Sequence, residues 1–133
     1  MTVVVDTSVL IAFFNSKDAH HQSAKDVLAQ VADEALVASS MTWAEVLAGP
    51  ARSGEESVQT ALSALAQLEI YEEAFPRDVA VRLAWLRAET GLKMPDCCVL
   101  LAAETAQADS VATFDGQLAS ASIQRGLTAR TGK

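Results

Sequence analysis

Proline and glycine are scarce, three and six in 133 residues. Half the residues are apolar and a fifth are charged, so the composition excludes a disordered or low-complexity chain and implies a packed globule. The only two cysteines are neighbours, Cys97 and Cys98, inside CCVLLAA. Adjacent cysteines rarely bridge without strain, and a lone vicinal pair has no zinc-ligand spacing, so neither a disulfide scaffold nor a structural zinc is expected. They read as small buried hydrophobes in a reducing cytoplasm. Long apolar runs are missing too: none approaches the roughly 20 residues needed to cross a bilayer. No charged leader followed by an apolar core opens the chain, so no secretion signal is expected. Positive charge is also in short supply, with ten Lys and Arg against seventeen Asp and Glu, a net charge of −7. Phosphate-binding faces usually rely on cations, which argues against a nucleic-acid partner. The objection weakens if the acids surround a divalent ion, because a bound metal inverts the local sign.

What is present is a regular alternation of apolar segments, long enough for one domain over residues 1–133 with a substantial core. Val3 to Val5 read as a strand buried on both faces, and Ser8 to Phe14 as a short apolar helix. Ala24, Val27, Leu28 and Val31 recur at helical spacing within Asp18–Val31. Leu36 to Ser39 read as a second strand, and Met41 to Ala48 as a helix ending near Gly49-Pro50. Ser57 to Leu68 form a helix with Leu62, Leu65 and Leu68 on one side, followed by a brief strand over Glu69 to Tyr71. An amphipathic helix after Pro76 carries Val79, Leu83 and Leu86, and the helix opened by Pro95-Asp96 is apolar nearly all round, hence central. Ser110 to Phe114 read as a strand, the residues after Asp115 as a final helix, and Leu127 to Ala129 as an edge strand. Strands alternating with helices imply right-handed crossovers onto a mainly parallel sheet, whose sites lie at the carboxyl ends of its strands.

Four acids stand out by their setting. Asp6 ends the first strand, in VVVDTS, and Asp115 ends SVATF two residues after Thr113. Asp96 opens the most apolar helix, and the helical neighbours of Glu45 in TWAEVLAG are small or apolar. Each has an ordinary structural reading. Asp6 and Asp96 suit helix N-caps, Asp115 before Gly116 suits a turn, and Glu45 suits a solvated face. Together they are harder to dismiss, because like charges gathered at the edges of buried elements need a counter-ion or must take up protons. Hard divalent ions such as Mg²⁺ or Mn²⁺ prefer oxygen ligands of this kind.

Other polar residues carry weaker signals. His20 and His21 point about 100° apart on a helix and read as surface or packing residues. Asp78 suits a first helical turn, and Glu104 a solvated face near the rim of the acids. Trp43, Trp85, Phe13 and Phe14 suit a core or a dimer face better than base stacking. Among Arg52, Arg77, Arg82, Arg87 and Lys93, the best placed for a phosphate contact is Lys93, three residues before Asp96.

The segments VVVDTSVLIAFF, TWAEVLAG, MPDCCVLLAAETA and VATFDGQL, in that order and spacing, resemble PIN-domain ribonucleases, specifically the VapC-type toxins of prokaryotic toxin–antitoxin pairs. The likeness spans essentially the whole chain. It implies a three-layer α/β/α sandwich around a mainly parallel sheet of four to five strands. It also implies that Asp6, Glu45, Asp96 and Asp115 bind Mg²⁺ or Mn²⁺, that Ser8 and Thr7 support the first acid, and that Thr113 orients the last. The implied activity is endonucleolytic hydrolysis of RNA that leaves a 5′-phosphate and a 3′-hydroxyl. The implied partners are a VapB-type antitoxin and a second copy of the chain in a homodimer. Cys97 stands where the family commonly has alanine, and Gly116 follows the last acid. Two other functions fit the length and acidity. A phospho-accepting receiver domain would need an acidic pair at the first strand and a late lysine, yet no lysine lies between Lys93 and Lys133. A PIN fold that only binds partners would have no use for a complete acidic quartet.

Overall fold

The computed structural model describes residues 1–132; Lys133, the last residue of the expected domain, lies outside them. The β-branched run at the start forms β1 (Thr2–Val5), and the chain turns at Asp6 directly into α1 (Thr7–Phe14). Then come α2 (His21–Gln30), β2 (Ala35–Ser39), α3 (Ser40–Ser53), α4 (Glu55–Gln67), β3 (Ile70–Glu73), α5 (Val79–Thr90), α6 (Met94–Thr105), β4 (Ser110–Ala112), α7 (Gly116–Gln124) and β5 (Thr128–Arg130). The strands form one five-stranded sheet in the order β3-β2-β1-β4-β5, with every pairing parallel.

Side chains of a strand alternate between faces, and here both faces are covered. Val3 and Val5 of β1, with Leu36, Ala38 and Ala112, join a core formed with α1, α2 and α4. Val4, in between, joins Val111, Leu86, Leu100 and Leu118 in a second core under α5, α6 and α7. The result is the expected three-layer α/β/α sandwich. Helix α6 is the central one: every residue from Asp96 to Ala103 is buried, Cys97 and Cys98 among them as free thiols.

The strand order places the site. From β1 the chain moves to one side through β2 and β3, then returns to the other side for β4 and β5. The crevice where this direction reverses lies between β1 and β4, at their carboxyl ends, and that is where open parallel sheets bind ligands. Asp6 follows β1, and Thr113 to Asp115 follow β4.

Several boundaries differ from the sequence reading. Helix α3 does not stop at Gly49-Pro50 but continues through Pro50 to Ser53, ending at Gly54 with φ of +116°. Pro50 lacks an N–H and so removes one bond, that to the Val46 carbonyl; the intact turns on either side and the packing of α3 against α4 outweigh the loss. Helix α2 begins at His21 rather than Asp18, because Asp18 Oδ1 accepts the His20 N–H and closes a turn first. Strand β4 ends at Ala112; the Thr113 N–H still donates to the Arg130 carbonyl of β5, while the Thr113 hydroxyl and the Phe114 N–H bond elsewhere.

Candidate functional site

The Asp6 backbone N–H donates to the Ala112 carbonyl at 2.9 Å, so the last rung between β1 and β4 fixes where the Asp6 carboxyl lies. Asp6 occupies the N-cap position of α1 but makes no side-chain capping bond. Its Oδ2 is held instead by two hydroxyls, Ser8 Oγ at 2.8 Å and Thr113 Oγ1 at 2.7 Å. Each hydroxyl also accepts a backbone N–H, Ser8 from Phe114 at 3.1 Å and Thr113 from Asp115 at 3.0 Å. A closed set of bonds therefore ties the end of β1 to the end of β4, and both Asp6 and Thr113 are buried within it.

Asp115 does cap its helix: Oδ1 accepts from Gln117 N at 2.9 Å and Leu118 N at 3.1 Å. Glu45, on the exposed side of α3, accepts at Oε1 from Thr7 Oγ1 at 2.6 Å. Thr7 thus reaches across to Glu45, while Ser8 and Thr113 hold Asp6. Among the described residues, Asp6, Glu45 and Asp115 each commit one carboxylate oxygen to the protein and leave the other without a bond inside the chain.

Asp96 is the exception. It lies in the first turn of α6, whose N-cap is Lys93, and caps nothing. It is only 7% exposed, and its Oδ2 is buried with no hydrogen-bond partner. Burial pushes its carboxyl up from the ordinary 3.8 to about 6; the charges of Asp115, Asp6 and Glu45 push the same way, and Lys93 opposes them. The charges of the other three acids and of the exposed Lys93 thus all act on the Asp96 carboxyl. Leaving a carboxylate oxygen orphaned in a buried position costs stability, which sets Asp96 apart from the other three acids.

Among the described residues, no three His, Cys, Asp or Glu side chains already form a group able to hold a metal. The four acids come from four separate elements, and their charges reach Asp96 without forming a closed cage.

The remaining candidates lie elsewhere or are occupied. Glu104 is bound by two arginines, Arg82 and Arg125, each at 2.9 Å, and so serves to tie α5, α6 and α7 together. Asp78 stands 3.9 Å from Arg82. His21 Nδ1 lies 2.8 Å from the Ala12 carbonyl, and His20 stacks on Phe114 with centroids 5.1 Å apart. Trp43 packs against the first core, whereas Trp85 is 65% exposed. Two features had no signal in the sequence. An apolar groove of about 780 Å³ runs between α1, α3 and α4 and reaches Glu45. A second groove, more polar, opens beside Asp115. Both depend on how helices pack, which no single segment encodes. Among the described residues, no helix is long and apolar enough to cross a membrane.

Known proteins provide an independent comparison. The PIN domain family matches residues 3–123. No curated protein matches significantly in sequence. Among solved structures, VapC20 from Mycobacterium tuberculosis, described as a Sarcin-Ricin loop cleaving toxin, is similar with a TM-score of 0.66 and 22% identity over 90% of this chain and 94% of that one. A toxin–antitoxin complex from Klebsiella pneumoniae gives 0.69 and 27% identity over 85% and 86% of the two chains. VapBC2 from Rickettsia felis, bound to a DNA fragment from its promoter, gives 0.67 and 21% over 97% of each. The family match runs from the first strand to the last helix and includes all four acids, so the chain belongs to the PIN-domain family.

Proposed function

We propose that this protein is a metal-dependent endoribonuclease that hydrolyses RNA phosphodiester bonds, and that it acts as the toxin of a toxin–antitoxin pair in the cytoplasm. The observation that carries the reading is Asp96: a buried carboxylate with an orphaned oxygen, pushed up toward 6 in the company of three further acids. Such a group is stable as an anion when a cation is present, and the donors are the hard oxygens that Mg²⁺ and Mn²⁺ prefer.

In this reading Asp6, Asp96 and Asp115, with Glu45, hold the ion by their uncommitted oxygens. When bound, the ion supplies Lewis-acid stabilisation of the charge that develops on the phosphate. The protein's own part is positional. Ser8 and Thr113 lock the Asp6 carboxyl, the α7 backbone locks Asp115, and Thr7 locks Glu45. Lys93 adds an exposed positive charge that acts on Asp96, suited to a non-bridging phosphate oxygen of the RNA. The net charge of −7 is then no obstacle, because the ion reverses the sign where the substrate meets the chain.

The antitoxin half of the reading is supported by the groove between α1, α3 and α4. Exposed Ile11 and Phe14, with Val46 and Pro50, give a partner segment apolar ground that ends at Glu45. A VapB-type antitoxin lying there would cover the site. Exposed Val81 and Trp85, four residues apart on α5, offer a face for pairing with a second copy.

The test compares the purified protein with Asp6→Asn and Asp96→Asn on total RNA in Mg²⁺, Mn²⁺ or EDTA. The protein should cut with either metal, lose cleavage in chelator, and lose on the order of 10²-fold or more with either substitution. Cleavage that survives chelation, or both substitutions, refutes the metal site. A small protein encoded just upstream that co-purifies and blocks cleavage distinguishes a toxin from a processing nuclease.

A further inference from the structure

The more polar of the two grooves holds about 860 Å³ between the turn joining α5 to α6 and the outer face of α7, with Asp115 at its mouth. Its walls contain neither Lys nor Arg, and its charged members are the acids Glu89 and Asp115. A phosphate would be repelled there, so the neutral part of a nucleotide is what the groove suits. One wall is rigid. Gly91 takes the left-handed conformation that ends α5, Thr90 Oγ1 donates to the Leu86 carbonyl at 2.6 Å and accepts from Leu92 N, and Arg87 donates to the Leu92 carbonyl at 2.7 Å. Glu89 is paired with Arg125 at 3.2 Å.

The other wall is chemically distinctive. Gln117, Ser120 and Gln124 are three and four residues apart, so they share one face of α7. All three are exposed, and among the described residues none of their side chains makes a hydrogen bond within the chain. Amide and hydroxyl groups on a fixed helix are the groups that read base edges, a glutamine being able to donate and accept at once. Asp115 Oδ1 accepts from the N–H groups of Gln117 and Leu118, so this carboxylate fixes the start of the helix that carries the reading face.

We propose that this groove is a base-recognition subsite for the RNA nucleotide next to the cut phosphate, with Gln117, Ser120 and Gln124 reading its edge. The inference rests on the ribonuclease reading and adds to it the source of sequence preference. Single-stranded RNA suits such a pocket, because its unstacked bases can be splayed out and bonded along their edges.

The experiment maps the 5′ ends of fragments from a random-sequence RNA pool cut by the wild-type protein, Gln117→Ala, Gln124→Ala and Ser120→Ala, each with its melting temperature and oligomeric state. The wild type should prefer particular bases at one position flanking the cut. Gln117→Ala or Gln124→Ala should reduce that preference by roughly 5-fold or more at that position only. KM should rise more for the preferred site than for non-preferred ones, while the melting temperature stays unchanged. An unbiased wild-type profile, or variants that keep the wild-type profile, overturns the subsite while leaving the ribonuclease reading intact. Variants that alter self-association without altering the profile assign the groove to a contact between copies and likewise overturn it. A wild-type protein that cuts no RNA in Mg²⁺ or Mn²⁺ removes both readings.

Discussion

Among single residues, Asp96 and Thr113 have the clearest consequences. The Asp96 carboxyl has an ordinary value of 3.8 and sits near 6 in the fold. A group raised on folding favours the folded state while protonated, below the unfolded value, and withdraws that contribution as pH rises through the folded one. Metal-free protein should therefore lose stability between about pH 4 and pH 7, by on the order of 2–3 kcal/mol. Asp96→Asn, which cannot ionise, should match the wild type near pH 4 and exceed it above pH 6. Thermal melts in EDTA across that range check the sign, and a wild type that gains stability as pH rises relative to the variant contradicts it. Thr113 both donates to Asp6 and accepts from the Asp115 N–H in a buried position. Thr113→Val should cost about 1–3 kcal/mol and lower cleavage roughly 10- to 100-fold, whereas Thr113→Ser should restore both. Equal losses in the two variants, measured by melting and by cleavage rate, would show that the hydroxyl alone is not sufficient and overturn this account.

At the scale of elements, α3 and the α5–α6 turn bring opposite backbone constraints. Pro50 interrupts the hydrogen bonding of an otherwise continuous helix. Pro50→Ala restores a donor to the Val46 carbonyl, and the entropy it returns to the unfolded chain offsets part of the gain; a net stabilisation of roughly 2 kcal/mol is expected. Gly91 ends α5 at φ +70° with open space where a side chain would project. Gly91→Ala should therefore cost about 1 kcal/mol through backbone strain alone. Denaturant midpoints of the two variants should move in opposite directions. The ion pairs of Glu104 with Arg82 and Arg125 link three helices, but all three side chains remain about one-third exposed. Glu104→Gln should change stability by less than about 1 kcal/mol and leave cleavage untouched, which would separate this acid from the four proposed to hold the ion.

For the whole molecule, the proposed metal site predicts that fold stability depends on metal. A ligand that binds only the folded chain stabilises it by about 2.7 kcal/mol at a hundred times its dissociation constant, which is several degrees in melting temperature for a domain of this size. Mg²⁺ or Mn²⁺ should raise the melting temperature of the wild type, less so as pH falls below 6, and should have little effect on Asp96→Asn. Ca²⁺-free scans with and without EDTA provide the check. An equal rise in wild type and variant would place the ion elsewhere.

The amino-acid pattern determined the layers, the parallel sheet and the two buried cysteines, because apolar periods of two and of about 3.6 residues follow from strand and helix geometry alone. It also marked Asp6, Glu45, Asp96 and Asp115, since a carboxylate at the edge of a buried element is conspicuous wherever the element ends up. It did not determine that α3 would run through Pro50, where tertiary packing overrode a local stop signal. Nor did it show that Thr7 would reach Glu45, that Glu104 would be taken by two arginines, or that a polar groove would open at Asp115. Those outcomes depend on strand order: β4 lies beside β1, so Thr113 bonds Asp6 across 107 residues of chain. Local periodicity is written in neighbouring residues, whereas which remote strands pair is settled by the summed packing of the entire core, and only the folded chain carries that sum.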